Sequence, residues 1–296
     1  VYKRQLFTKD LNIPFQPVFR IGSTYQPAEY TFLRASYGQG YRFPSIAEKY
    51  ISTFVGGLNI FPNNNIQPEY GWSAEVGLKQ GFKINNFKGY IDLSGFVTRY
   101  QDMIEFMFGF YNTDGSDLTL LELYQLIGGD LNQLTNYLGA RSTNIQNANI
   151  PGMELSIVGQ GNFTENLSFT TLAGYTFIHP TPIDADSAYL TTFSDPDMEN
   201  PENTILKYRN RHMLKIDFQL DYKKWAIGLS TRYTSLMENV DDVFMQPIVQ
   251  NTEILPGYGD YRNARMTGDL VFDCRLAYNF NNKYKLSILA NNLLNK

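Results

Sequence analysis

The sequence predicts an all-β, transmembrane, antiparallel β-barrel that is incomplete, with about ten strands of a larger barrel. Apolar and polar residues alternate with a period of two in runs of about ten residues, as expected for strands between lipid and a polar interior. Short turns alternate with long polar segments. Aromatic residues make up 15% of the 296 residues, yet no stretch of about 18 apolar residues is present. A soluble all-β protein is the other class that this composition allows.

The alternation is clearest in residues 214–222, followed by a Lys223-Lys224 turn and a second alternating run, 225–234. One face of this hairpin is apolar and the other polar. We expect the apolar set to face lipid: Leu214, Ile216, Phe218, Leu220, Ile227 and Leu229. We expect the polar set to face the lumen: Lys215, Asp217, Gln219 and Arg232.

The same pattern predicts strands along the rest of the chain, in order near residues 18–25, 33–37, 72–78, 90–100, 167–177, 270–280 and 284–290. Two irregularities occur. Thr171-Leu172 breaks the parity of its strand, and Phe96 falls on the polar parity of its own. Cys274 is interpreted as a small apolar residue within a strand. Charged residues on the polar parity are expected to form charge pairs in the lumen: Arg34, Lys79, Lys215, Asp217, Arg232, Asp273 and Arg275.

The connections between these strands alternate in length. Short turns are expected near residues 26–30, 83–87, 161–166, 222–225 and 280–283. Long, mostly polar segments are expected near 39–70, 102–150, 179–207 and 235–267. Outer-membrane barrels have this asymmetry, with short periplasmic turns and long extracellular loops, whereas soluble sandwiches more often mix loop lengths at both ends.

One long segment contains two predicted helices, Asp117–Ile127 and Asp130–Leu138. Each begins with a capping Asp, and Gly128-Gly129 separates them. We expect their leucines to pack onto the barrel rim. Residues 1–12 are interpreted as a non-native or loop remnant, and residues 13–296 as a single domain.

Composition argues against several functions. The formal net charge is −4 and the pI is about 5.3, which disfavours a nucleic-acid partner. A single cysteine excludes an internal disulfide or a multi-cysteine metal site. His179 and His212 lie at the loop ends of neighbouring strands, in no nucleophile or zinc spacing. The acidic segment 184–202 is interpreted as a solvated loop, with a hard cation as the alternative. The sequence therefore predicts no enzyme and assigns no catalytic, cofactor-binding or metal-binding residue.

Three stretches resemble the C-terminal barrel of TonB-dependent outer-membrane receptors. The first, 37–50, has a Gly/aromatic-Arg-x-Pro-Ser core followed by Ala-Glu. The second, 65–79, has x-Pro-Glu and then Glu-x-Gly on a strand, with Ile66 where leucine is usual. The third, 291–296, resembles an Asn-Leu-Phe-Asn/Asp element, with Leu294 in place of phenylalanine. The matching residues are Arg42, Pro44, Glu48, Pro68, Glu69, Glu75, Gly77, Asn292 and Leu293.

The resemblance implies a barrel of about 22 strands around a plug. Residues 13–296 would be the C-terminal part of this outer-membrane β-barrel and would supply roughly the twelfth to the twenty-first strand. The resemblance also implies a place in the cell outer membrane, in contact with lipid, and uptake of a small-molecule nutrient (siderophore, vitamin, glycan or peptide) powered through TonB. The matching residues are expected to serve barrel architecture, and the substrate-binding residues are not assigned. A passive porin-like barrel and a soluble β-rich glycan-binding or enzyme domain remain as alternatives.

Overall fold

A computed structural model describes residues 17–55, 58–145, 147–183, 205–245, 256–281 and 283–294. The strands in chain order are β1 (Arg20–Ala28), β2 (Thr31–Arg42), β3 (Thr53–Val55), β4 (Leu58–Phe61), β5 (Glu69–Ile84), β6 (Phe87–Gln101), β7 (Met103–Phe110), β8 (Leu138–Ile145), β9 (Asn147–Thr164), β10 (Leu167–Ile178), β11 (Thr181–Ile183), β12 (His212–Tyr222), β13 (Trp225–Thr234), β14 (Asp269–Asn279) and β15 (Lys285–Ala290). The helices are α1 (Ile46–Tyr50), α2 (Leu120–Leu126) and α3 (Tyr258–Ala264), with 3₁₀ segments at Leu131–Asn136 and Asp242–Phe244.

Ten strands form one large antiparallel sheet in the order β1-β2-β5-β6-β9-β10-β12-β13-β14-β15, and β11 adds to β9. Over the described ranges, β1 pairs only with β2 and β15 only with β14, so the two ends of the sheet do not meet. The predicted strand number, the antiparallel pairing and the open edges are confirmed. Residues 1–12, interpreted above as a non-native or loop remnant, lie outside the described residues.

The short connections occur where the sequence predicts them. The β5–β6 turn is Asn85-Asn86 and the β12–β13 turn is Lys223-Lys224, flanked by the pairs Ile84↔Phe87 and Tyr222↔Trp225. Asn85 and Lys223 both have φ of 53°, the left-handed backbone that two-residue hairpin turns require. These turns all lie at one end of the sheet, and the long connections lie at the other.

Strand register confirms the predicted parity of the hairpin β12–β13. Phe218 pairs with Leu229 on one face, while Asp217 pairs with Ser230 on the other. Since directly opposed residues share a face, the apolar and polar sets lie on opposite sides. The apparent break in β10 disappears, because Leu172 pairs with Asp217 on the polar face and the alternation continues. Cys274 pairs with Leu229 on the apolar face and is half-buried.

The apolar face is exposed across the whole sheet. Ile21 is 73% exposed, Val76 64% and Ile288 60%, and each lies on this face. Monomeric soluble proteins rarely expose apolar patches larger than a few hundred Å². A face of this extent requires lipid or another apolar cover.

Aromatic rings lie at both ends of the apolar face. At the turn end, Phe163 contacts Phe169 with 5.3 Å between ring centroids, and Trp225 contacts Tyr278 at 4.6 Å. At the loop end, Tyr37 contacts Trp72 with 6.0 Å between ring centroids, and Tyr41 contacts Tyr70. The eight steps along β13 from Trp225 to Tyr233 span about 26 Å at ~3.3 Å per residue. At the tilt of about 35–45° that barrel strands have, this length is roughly 20 Å along the membrane normal, comparable with the apolar band of about 25 Å between two such girdles.

The long segments contain a second sheet, which the sequence analysis missed. Its order is β3-β4-β8-β7, and β4 pairs with β8 in parallel. Residues 39–70 and 102–150 were predicted as polar loops, so this prediction was wrong for β3, β4, β7 and β8. The near-continuous apolar run of β7 (Met103–Phe110) was the available signal. Short apolar runs do not distinguish strand from helix, and the surrounding polar residues obscured it.

The predicted loop helices were partly wrong. The N-cap of α2 is Thr119, in a capping box with Glu122, and not Asp117. Asp130 does cap the second segment, but that segment is a 3₁₀ helix. Their inward residues pack into a core of the loops rather than onto the rim. This core contains Phe110, Leu123, Ile127, Leu134, Leu138, Val243 and Phe244. None of the helices in the described ranges is long and apolar enough to span a membrane.

Candidate functional site: the charged face and its loop cap

The face opposite the apolar one carries ion pairs that cross three strands. Arg34 in β2 donates from Nε to Glu75 in β5, at 2.8 Å, and from Nη1 to Asp92 in β6, at 2.6 Å. To reach β6 the guanidinium lies directly over Gly77. A Cβ at Gly77 would be 2.6 Å from Cζ of Arg34, so only glycine leaves the necessary space.

The same arrangement recurs near the other edge of the sheet, on the same charged face. Arg275 in β14 donates to both carboxylate oxygens of Asp217 in β12, at 2.9 and 3.0 Å. It lies over Gly228 in β13, where a Cβ would be 2.6 Å from Nε of Arg275. Arg232 pairs with Asp273 at 3.1 Å on this face. The predicted charge pairs are confirmed for Arg34, Asp217, Arg232, Asp273 and Arg275, whereas Lys79 lies over the Tyr90 ring. The pairing of Lys215 stays a prediction.

At the loop end of the charged face, Arg42 joins the first two sequence motifs. Its Nε is 2.8 Å from Glu69 and its Nη1 is 2.6 Å from Glu48. Glu48 forms a capping box with Ser45 at the start of α1. Pro44 is buried immediately before this helix. The motif therefore fixes the path of the chain as it leaves β2.

A groove of about 380 Å³ lies beside this cluster. Gly38, Gly40 and Gly71 line it, and the Tyr100 ring lies against Gly71, where a Cβ would be 3.2 Å from Cδ1. Since these glycines follow the parity of Arg42, the groove belongs to the charged face.

The other motif residues are also placed by backbone contacts. Pro68 precedes β5, which begins at Glu69. The backbone N–H of Asn292 donates to Asp273 at 2.8 Å, and that of Leu293 donates to the carbonyl of Phe272 at 2.8 Å. Asn295 and Lys296 of this motif lie outside the described residues.

Loop residues cover the loop end of the charged face. The backbone N–H of Ile104 donates to Glu69 at 2.8 Å. Met103 and Leu206 pack with Ala148 and Tyr100, which pair with each other on the charged side. We call β7 to β8 (residues 103–145), residues 205–211 and residues 237–245 the loop cap. Because the cap closes over the charged face, that face is the interior of the barrel and the apolar face is the lipid side, as predicted.

The centre of the loop cap is a buried carboxylate, Asp241. It accepts hydrogen bonds from Nζ of Lys207 at 2.6 Å, from the Tyr208 hydroxyl at 2.6 Å and from the backbone N–H of Phe108 at 2.7 Å. The Lys207 and Asp241 side chains are only 2% and 3% exposed. The pKa of the Tyr208 hydroxyl is raised by burial and by the adjacent Asp241 carboxylate.

A second ion pair, between Glu105 and Arg209, lies beside the first. Burial raises the pKa of Glu105 to about 7, although Arg209 acts in the opposite direction. Oε2 of Glu105 and Oδ1 of Asn239 are buried, and neither has a hydrogen-bond partner among the described residues. No sequence motif pointed to these cap residues, which are single polar residues within polar segments.

The two histidines have different partners. Nη2 of Arg211 donates to Nδ1 of His179 at 3.1 Å, and Nδ1 of His212 is 2.8 Å from the Tyr175 hydroxyl. In the described part of the chain, no three His, Cys, Asp or Glu side chains are grouped to hold a metal ion. The acidic segment 184–202 lies outside the described residues, so its predicted character stays a prediction. The described site is a polar interior under a loop cap.

Comparison with known proteins agrees with this architecture. The family model described as TonB dependent receptor-like, beta-barrel, matches residues 7–293. Hemoglobin-haptoglobin-binding protein A of Haemophilus influenzae is 26% identical over 237 residues, covering 72% of this chain and 22% of that protein.

Two solved structures share the fold. The ferric-catecholate import receptor Fiu of E. coli K12 superposes with a TM-score of 0.56 at 16% identity, covering 94% of this chain and 30% of that one. A double mutant of the Serratia marcescens hemophore receptor HasR, in complex with its hemophore HasA and heme, gives 0.55 at 14% identity, covering 94% and 35%. The chain thus spans about a fifth of the length of the curated relative and about a third of these structures.

Proposed function

Because the chain belongs to the TonB-dependent receptor-like β-barrel family, we propose that it is the membrane-embedded part of a receptor that takes up an iron-containing nutrient of the heme or siderophore type. The family is one of outer-membrane receptors and not of enzymes. The activity, the substrate and the coupling to TonB are our proposal, since the chain spans only part of its relatives.

The observation that carries the proposal is the division of the sheet into two faces. The exposed apolar face suits lipid, and the opposite face carries cross-strand ion pairs below a folded loop cap. A soluble glycan-binding domain would rarely expose so large an apolar surface. A passive porin needs no TonB and conducts small solutes through a water-filled lumen, so the two barrel types differ in their energy requirement.

Among iron sources, heme carried by a protein is the candidate that the relatives favour. The named curated relative is described as binding hemoglobin-haptoglobin, and one structural neighbour is a hemophore receptor. The loop cap has its own hydrophobic core, so it presents a folded surface on the outside of the cell. Such a surface suits capture of a protein ligand as well as a small molecule.

The test is growth of an iron-starved, heme-deficient host that expresses the intact receptor. We expect growth on hemoglobin, loss of growth when TonB is deleted, and equal growth of all strains on inorganic iron with a heme precursor. Growth on ferric siderophores with the heme precursor, and none on hemoglobin, would move the substrate to the siderophore class. TonB-independent passage of small hydrophilic solutes would instead indicate a porin and contradict the proposal.

A further inference from the structure

We propose that Asp241 is a pin that joins three separate loops into one body, so that the loop cap opens and closes as a unit. The proposal concerns motion of the cap and holds whatever the substrate is. It rests on buried contacts between described residues.

Three loops converge on the one carboxylate. Phe108 belongs to the connection between β6 and β9, Lys207 and Tyr208 to that between β10 and β12, and Asp241 to that between β13 and β14. All three donors are within 2.7 Å of the Asp241 oxygens. A fully hydrogen-bonded buried carboxylate of this kind fixes the relative position of every segment that donates to it.

The backbone at Tyr208 is shaped for this contact. Lys207 and Tyr208 lie in a turn, and both side chains reach Asp241. Tyr208 has φ of 58°, a left-handed conformation that is unfavourable for a bulky residue. Its backbone N–H donates to the carbonyl of Asn239 at 2.9 Å. Tyr208 is thus held in this strained conformation by residues 239–241, the same segment to which its hydroxyl is hydrogen-bonded.

Further contacts tie the same three segments. The Asn239 amide donates to the carbonyl of Ile205 at 2.7 Å, and Glu105 of β7 pairs with Arg209. Removing one member of a buried ion pair leaves an uncompensated charge, which is strongly destabilising. One loop therefore cannot leave the cap alone without exposing the charges of the other two.

Hydrogen exchange of the intact receptor in membranes tests the pin. Asp241→Asn weakens all three donations while keeping the size of the side chain. We expect amide exchange to rise about tenfold or more in residues 103–111, 205–211 and 239–245 together, with the strands of the large sheet unchanged. Asp217→Asn is the matched control, because it breaks an ion pair of the sheet and leaves the cap intact.

Tyr208→Phe is a milder variant. It removes the two hydrogen bonds of the Tyr208 hydroxyl, one to the Asp241 carboxylate and one from the Asp241 backbone N–H. It keeps the Lys207–Asp241 pair, so it tests the idea even if Asp241→Asn does not fold. We expect a smaller rise, again shared by the three segments. A rise confined to 239–245 in Asp241→Asn, or to 205–211 in Tyr208→Phe, would show that the loops move independently and would overturn the proposal.

Discussion

At two places in the sheet an arginine lies across a glycine of the neighbouring strand and reaches a carboxylate two strands away. Glycine is needed at these positions because the arginine leaves no room for a Cβ atom, and not because of the backbone conformation. Gly77 is part of a motif that the sequence analysis identified, whereas Gly228 is not. The same steric reason therefore explains Gly77, which belongs to a recognisable motif, and Gly228, which no pattern indicated.

Gly228→Val tests this reason. We expect the new side chain to displace Arg275 from Asp217 and to lower the stability of the intact barrel by about 1–3 kcal/mol, the usual cost of overpacking. The ion pair itself contributes only a small part of this loss. The Arg275 and Asp217 side chains are 40% and 31% exposed, so solvent screens their charges. The measurement is the urea midpoint of unfolding in lipid vesicles.

Gly174→Val is the control for this prediction. Gly174 lies on the same charged face, opposite Lys215, but a Cβ there meets nothing within 4 Å. An equal loss of stability in both variants would show that glycine is required for backbone reasons and not for the arginine.

Glu105 gives the loop cap a dependence on pH. Its carboxyl pKa is raised from 4.5 to about 7, so the folded cap favours the protonated form. The stability that this preference contributes is fully present below pH 4.5 and is lost as the pH rises through 7. The change is on the order of 3 kcal/mol. We expect cap amides, corrected for intrinsic exchange rates, to exchange faster at pH 8 than at pH 5.

Glu105→Gln removes the ionisation at similar volume and should remove most of this pH dependence. Persistence of the full dependence in Glu105→Gln would assign it to another group of the cap. The neighbouring charged groups are Arg209, Lys207 and Asp241, so the variant isolates one carboxyl among four charges.

At the scale of elements, the strands were predictable and the loops were not. The alternation in β12 and β13 predicted their facing because a strand has a fixed period and one covered face. Lys207, Tyr208 and Asp241 have no such pattern. They lie in polar segments far apart along the chain, and only the pairing of the strands brings them together. The capping of α2 was misassigned for a related reason, since Asp117 and Thr119 are both acceptable N-cap residues.

The lipid facing of these strands predicts the effect of a charge. Phe218 and Leu229 pair near the middle of the apolar face. Phe218→Arg or Leu229→Arg should destabilise the intact barrel by about 2–4 kcal/mol. Ser230→Arg, on the charged face between two carboxylates, should cost much less. Similar losses of folded protein at both kinds of position would contradict the assignment of the two faces.

At the scale of the whole molecule, the open edges determine how this chain behaves by itself. The outer edges of β1 and β15 carry unpaired backbone groups in the sheet described here, and such groups are costly in lipid. Expressed alone, the 296 residues should aggregate, while the intact receptor should migrate as a heat-modifiable barrel in electrophoresis. A heat-modifiable band from the isolated chain would mean that the edges close on each other.

The contacts at Asp241 also constrain the order of folding. The hydrogen bond from Phe108 to Asp241 joins residues 133 positions apart, and the Glu105–Arg209 pair spans 104. Closing loops of that length in an unfolded chain costs entropy that one carboxylate does not recover. Pairing of the intervening strands must first shorten the distance. Refolding should therefore show the hairpins in an early kinetic phase and the pinned loops in a late one, after the strands have crossed the bilayer.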